Sequence, residues 1–168
     1  TATTESYTLS LHDALPIFFI LAASFHKRQD GHEHQIEMKS NVIPPEDLQS
    51  WSEMVELYGE FLPDKVLTFL QMERPIDFKP TELFNPMEKK DLPPFLDVWF
   101  KLKGDSSKLD LATRQQILTY ISDYNVLSAA LLPHASKAHY GNTQMASLDH
   151  SMWFFRDFDF NDCMLFSI

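Results

Sequence analysis

Two polar residues interrupt otherwise apolar patterns, and their types are those that handle protons and water. Asp123 lies in Tyr120-Ile121-Ser122-Asp123-Tyr124-Asn125, inside a stretch whose apolar residues recur at helical spacing. An ionised carboxylate in such a setting costs several kcal/mol unless it is paired or hydrogen-bonded. A narrow solvated stripe shared with Gln116 and Thr119 is the plainer alternative. Ser147 lies in Met145-Ala146-Ser147-Leu148-Asp149-His150-Ser151. Read as a strand, this puts Ser147, Asp149 and Ser151 on one face and Ala146, Leu148, Met152 and Phe154 on the other. Ordinary alternation, polar side to water, explains the same pattern. A nucleophilic serine needs an adjacent base and usually a strained elbow such as G-x-S-x-G. That elbow is absent, and His150 falls on the strand face opposite Ser147, so a Ser–His–Asp hydrolase is disfavoured. His134, next to Pro133, reads as a loop histidine.

Other chemistries find less support. His32-Glu33-His34, with His26 nearby, could begin a zinc site, but no further ligand has the usual spacing, so the segment reads as a polar loop and no metal is expected. The single cysteine, Cys163, excludes an intrachain disulfide framework and reads as a buried small hydrophobe. Only 4 glycines leave little material for a phosphate-cradling loop, and no cofactor is expected. The formal net charge of −10 repels a phosphate backbone. No basic stripe offsets it: the densest clusters are His26-Lys27-Arg28, Lys89-Lys90 and Lys101/Lys103, so nucleic acid is not an expected partner. The longest apolar run, Ile17 to Phe25, falls short of the ~20 residues that cross a bilayer. No Lys or Arg precedes it, as a signal peptide would require, so neither membrane nor secretion is expected.

The elements that must carry Asp123 and Ser147 follow from periodicity. Residues 1–15 show no clean period and are expected to be a non-native leader. Ile17 to Phe25 reads as a strand buried on both faces. Pro44-Pro45-Glu46-Asp47 opens a helix with Leu48, Trp51, Val55 and Tyr58 on one stripe. A second helix follows Pro63-Asp64, with Val66, Phe69 and Leu70 inward; together the two helices read as a linker region, residues 30–73. The period then becomes two. Ile76-Asp77-Phe78-Lys79 is a strand that Pro80 demotes to an edge or bulge. In the next strand Leu96, Val98, Phe100 and Leu102 face one side, and Asp97, Trp99, Lys101 and Lys103 the other. Asp110 is a plausible N-cap for a long buried helix reaching about Leu132, with Leu111, Leu118, Ile121 and Tyr124 on one side, widened by Ile117, Tyr120, Leu127 and Leu131. Gln144 to Arg156 and Cys163 to Ile168 read as two further strands. This order predicts an α+β fold, an antiparallel sheet around a central helix, with Val98, Leu148 and Leu165 packed on that helix.

Several segments carry a resemblance. Tyr120 to Asn125, Leu132-Pro133-His134 and Gln144 to Phe154 resemble the acyl-CoA thioesterase II family of double hot-dog hydrolases. Arg74-Pro75 and Phe84-Asn85-Pro86 are similar to that family's second domain, and Pro16 to Phe25 to the last strand of its first. The resemblance implies a hot-dog domain over residues 74–168, and residues 16–29 as the last strand of a preceding one. It implies hydrolysis of fatty acyl-CoA to free fatty acid and CoA. The attacking water would be held by an Asp, a Thr or Ser and a Gln. Asp123 matches the first and Ser147 the second; the Gln would lie beyond Ile168. The chain departs from the family pattern at Phe155-Arg156-Asp157, where His-Arg-Pro is common.

These residue types suit that chemistry. A thiol leaving group with a pKa near ~8.5 departs without strong acid help. An oriented water, a carboxylate to take its proton and donors for the oxyanion then suffice. A hot-dog enoyl-CoA hydratase would need an Asp with a His five residues later, and no His here has one. A catalytically silent hot-dog module for binding or dimerisation remains the other alternative. The chain opens on Thr1 and closes inside an apolar run at Ile168, so the expectation is a piece of a longer, homo-oligomeric enzyme, cytoplasmic, or peroxisomal in a eukaryote, and inactive as this piece alone.

Overall fold

The computed structural model describes residues 5–8 by their backbone, and residues 20–62, 64–83, 90–140 and 142–168. Phe84-Asn85-Pro86, Lys89 and the first part of the Ile17–Phe25 run lie outside the described residues. The chain forms two units, residues 1–39 and 40–168.

In the first unit, β1 (Glu5–Thr8) and β2 (Ala22–Phe25) make an antiparallel ribbon in the register Glu5↔Phe25. Of the expected strand, Ala22–Phe25 pairs here, and Ile20, Leu21 and Phe25 are exposed. A two-stranded ribbon has no second layer to cover its faces. Its partner β1 comes from a segment in which periodicity predicted nothing.

The second unit is an α+β assembly with a three-stranded antiparallel sheet. It comprises β3 (Ile76–Pro80), β4 (Asp97–Leu102) and β5 (Met164–Ser167), in the order β3-β4-β5. β3 is an edge strand, as its terminal proline predicts, with Pro80 opposite Val98. Alternation sorts the two faces. Ile76, Phe78, Val98 and Phe100 are buried on the inner one, together with Ile121, Ala129 and Phe160.

Two helices precede the sheet. α1 (Trp51–Tyr58) starts at Ser50 rather than at the proline pair. The prolines make only a 3₁₀ turn, Pro45–Asp47. The true start is a capping box: Glu53 N–H donates to Ser50 Oγ at 3.2 Å, and Ser50 N–H donates to Glu53 Oε2 at 2.6 Å. α2 (Asp64–Gln71) follows where expected. α1 packs on the sheet through Trp51, whose ring centroid lies 4.6 Å from that of Phe78.

The expected single long helix is two. α3 (Leu111–Ser122) is capped by Asp110, whose carboxylate accepts from Thr113 N–H at 2.8 Å. Hydrogen bonds from Thr113 hold that carboxyl below the ordinary range. The helix stops at Asp123, and Asn125 takes a left-handed conformation, φ 67°. α4 (Val126–Leu131) then resumes, followed by a 3₁₀ turn, Leu132–His134. A left-handed residue cannot continue an α-helix, and asparagine adopts that region more readily than most. Periodicity carried through the break because the apolar residues on either side still face one core. Ile121 is fully buried and Leu118 packs against the core, while Tyr120 and Leu111 are exposed. Arg114 anchors α3 to the loop before β5, donating from Nη1 to the Phe158 carbonyl at 2.6 Å.

The largest departure concerns residues 144–156. They form no ladder, and Leu148, expected in the core, is 93% exposed, with Phe155 at 89%. Alternation is a property of both paired and unpaired extended chain, so it cannot by itself report a ladder. β4 pairs on both sides with β3 and β5, and the 144–152 segment meets α3 through side chains instead.

On the outer face of the sheet, Trp99 Nε1 donates to the Ile43 carbonyl and Lys79 Nζ to the Pro45 carbonyl, both at 2.9 Å. These bonds fix residues 43–45 across that face and bound a cavity of about 310 Å³ lined by Asp77, Trp99, Lys101 and Cys163. Cys163 is thus half-buried at a cavity rather than sealed in the core. Among the described residues no helix is long and apolar enough to cross a membrane.

Phe78 is buried between Trp51 and Tyr124, so Phe78→Ala is expected to cost about 3–5 kcal/mol in denaturant unfolding. A loss below ~1 kcal/mol would show that the stack contributes little. Burial pushes the Asp77 carboxyl up, against the pull of Lys103 and Lys79. A raised folded pKa costs nothing where the group is protonated in both states. The fold loses stability as pH rises through the folded value. Asp77→Asn should therefore raise Tm at pH 7 and leave it unchanged near pH 3, where a gain of equal size at both would point to packing instead.

Candidate functional site

The helix break sets the position of Asp123. As the C-terminal cap of α3 it leaves the buried stripe and becomes exposed, so the carboxylate escapes the desolvation that a continuous helix would impose. Tyr124 beside it turns inward, its ring centroid 5.2 Å from that of Phe78. Asn125 completes the turn. Its Nδ2 is buried and has no hydrogen-bond partner among the described residues. The same residue lines an apolar groove of about 340 Å³ between α1, α2 and the sheet, with Trp51, Val66, Leu70 and Val98 among its walls.

Ser147 is brought to Asp123 from 24 residues away. Its Oγ donates to Asp123 Oδ1 at 2.7 Å. The two residues singled out in the sequence therefore meet, and they meet at the surface. A serine that spends its proton on a carboxylate turns its lone pairs outward, toward any hydrogen-bond donor that approaches. Its hydroxyl then serves as an acceptor, and the carboxylate keeps a second oxygen with capacity for a proton.

Four further side chains complete the arrangement. Ser122 Oγ lies 2.9 Å from His150 Nε2. Met152 Sδ lies 3.5 Å from Thr119 Oγ1 and 3.8 Å from Ser122 Oγ. Thr119, Ser122 and Asp123 stand at i, i+3 and i+4, so they form one polar stripe at the end of α3. Thr119 belonged to the solvated stripe considered as an alternative for Asp123, and that spacing was the available signal. His150 engages Ser122, not Ser147, so the arrangement is not a Ser–His–Asp triad. His134 sits in the 3₁₀ turn after α4, exposed. The His32–His34 loop is exposed as well, and among the described residues no group of three His, Cys, Asp or Glu is placed to hold a metal.

Elsewhere, Ser106 is buried, and its Oγ shares one proton between Asn161 Oδ1 at 3.0 Å and Asp159 Oδ1 at 3.2 Å. The backbone hydrogen bond from Asn161 holds the Asp159 carboxyl down. This cluster ties the loop after β4 to the loop before β5 and supports the base of α3 through the neighbouring Phe158.

A model of the acyl-CoA thioesterase family matches residues 67–168. The chain is 34% identical over 148 residues to acyl-CoA thioesterase 2 of Haemophilus influenzae, covering 88% of this chain and 51% of that protein. It is 36% identical over 155 residues to acyl-coenzyme A thioesterase 8 of Mus musculus, and 32% over 157 to that of Homo sapiens, covering 88% of this chain and 48% of each. The chain spans about half the length of the curated relatives it matches. The Asp123–Ser147 pair, the three-stranded sheet, α3 and α4 lie within the matched residues, and the chain belongs to the acyl-CoA thioesterase family.

Proposed function

We propose that the protein hydrolyses fatty acyl-CoA to free fatty acid and CoA, with a water held between Asp123 and Ser147. The observation that carries this reading is the 2.7 Å hydrogen bond joining those two side chains at an exposed helix end. The water donates one hydrogen to the free carboxylate oxygen of Asp123 and the other to Ser147 Oγ. Its lone pair attacks the thioester carbonyl carbon. The C–S bond then breaks, CoA leaves as thiolate, and the proton taken by Asp123 is returned to the products. No step needs a metal or a covalent acyl-enzyme. The largely apolar groove beside Asn125 has the chemistry an acyl chain requires, and Asn125 is two residues from the carboxylate.

The sheet with its helices over residues 74–168 is read as a hot-dog domain, and residues 16–29 as the last strand of a preceding one, within a double hot-dog enzyme. The assembly is proposed as a homo-oligomer and the compartment as cytoplasmic, or peroxisomal in a eukaryote. Bacterial and mammalian relatives named as thioesterases support the activity.

The test is thiol release from a fatty acyl-CoA by the intact protein. Asp123→Asn should lower kcat by about 10²–10⁴-fold, the usual contribution of a positioned base. Ser147→Ala should lower kcat more than it raises KM, because it removes positioning rather than uniform binding. Undiminished turnover in Asp123→Asn would overturn the Asp123 site, and no thiol release by the intact protein would leave the silent binding module as the better reading.

A further inference from the structure

Residues 144–152 have no strand ladder, so the contact between Ser147 and Asp123 depends on side chains alone. A single exposed hydrogen bond competes with water and contributes little. A second anchor three residues on changes that. Ser122 Oγ has one proton, and it goes to the Thr119 carbonyl at 2.8 Å, the back-bond serine often makes within a helix. The same Oγ lies 2.9 Å from His150 Nε2. With its proton already placed, the oxygen accepts here, so the histidine presents Nε2–H.

We propose that His150 is a positioning residue for the hydrolysis: its Nε2–H, received by Ser122 Oγ, clamps the 147–150 segment to the end of α3 and so fixes the Ser147–Asp123 bond. Anchors at positions 147 and 150 meet acceptors at 123 and 122, adjacent residues on one helix end. Two attachment points remove the swing that one would leave. Met152, against Thr119 and Ser122, extends the same seam with a soft contact that tolerates small shifts. His150 does not touch the reacting atoms; it acts through Ser147. The inference rests on the acyl-CoA hydrolase reading above.

The test uses the intact protein and fatty acyl-CoA hydrolysis, with Asp123→Asn measured alongside. His150→Ala should lower kcat about tenfold, the worth of one hydrogen bond to a positioned group, with KM and Tm close to the parent's. His150→Gln sets an amide N–H near the place of Nε2 and should restore most of the loss. Ser122→Ala should reproduce the loss, and the double variant His150→Ala/Ser122→Ala should be no worse than either alone. Full activity in His150→Ala, with Asp123→Asn inactive, would overturn the clamp and leave the hydrolase reading standing. Failure of His150→Gln to recover activity would also overturn it. Full activity in Asp123→Asn would overturn the hydrolase site itself.

Discussion

The structure depends on the burial of Phe78 between two rings from different elements. Its centroid is 4.6 Å from that of Trp51 on α1 and 5.2 Å from that of Tyr124 at the end of α3. One side chain of the edge strand thereby fixes both the helix that covers the sheet and the turn that presents Asp123. Arg74 extends the stack from the other end, its guanidinium 4.4 Å from the Phe69 ring centroid and 5.4 Å from that of Trp51. Its Nη1 donates to the Met72 carbonyl and its Nη2 to the Phe69 carbonyl, so carbonyls and ring faces surround the buried cation. α2 is thus tied into the same series.

The second constraint is the left-handed Asn125. A helix running on through Asp123 would keep the carboxylate inside an apolar layer. The break leaves Tyr124 in the core and Asp123 outside it, one residue apart. The polar stripe of Thr119, Ser122 and Asp123 then becomes the surface on which a segment without a ladder can dock. Core packing and site chemistry are coupled here through adjacent residues, because the aromatic that locks the turn precedes the asparagine that makes it.

Much of this was legible beforehand. The edge status of β3 followed from Pro80, and the cap of α3 from Asp110. The inner face of β4 followed from Leu96, Val98 and Phe100, and Asp123 and Ser147 stood out as polar residues in apolar surroundings. The start of α1 was misplaced because a proline pair looks like a first turn, while the stronger signal was Ser50 with Glu53 three residues on. In the run read as doubly buried, Ile20, Leu21 and Phe25 are exposed, since an apolar run states a preference for burial and supplies no layer to bury it.

Local chemistry therefore lies in the sequence: caps, proline positions, the period-two faces of β3 and β4, and residue types able to handle a proton. These depend on neighbours within a few positions, and the chain cannot hide them. Three features were decided only in the tertiary structure. The helix broke at Asn125, because a left-handed residue ends an α-helix, and Tyr124 beside it meets Phe78 from a distant strand. Residues 144–152 lay against α3 without a ladder, because strand pairing depends on a partner and not on alternation. His150 found Ser122 and Ser147 found Asp123, because side chains 28 and 24 residues apart have no local pattern to report their meeting.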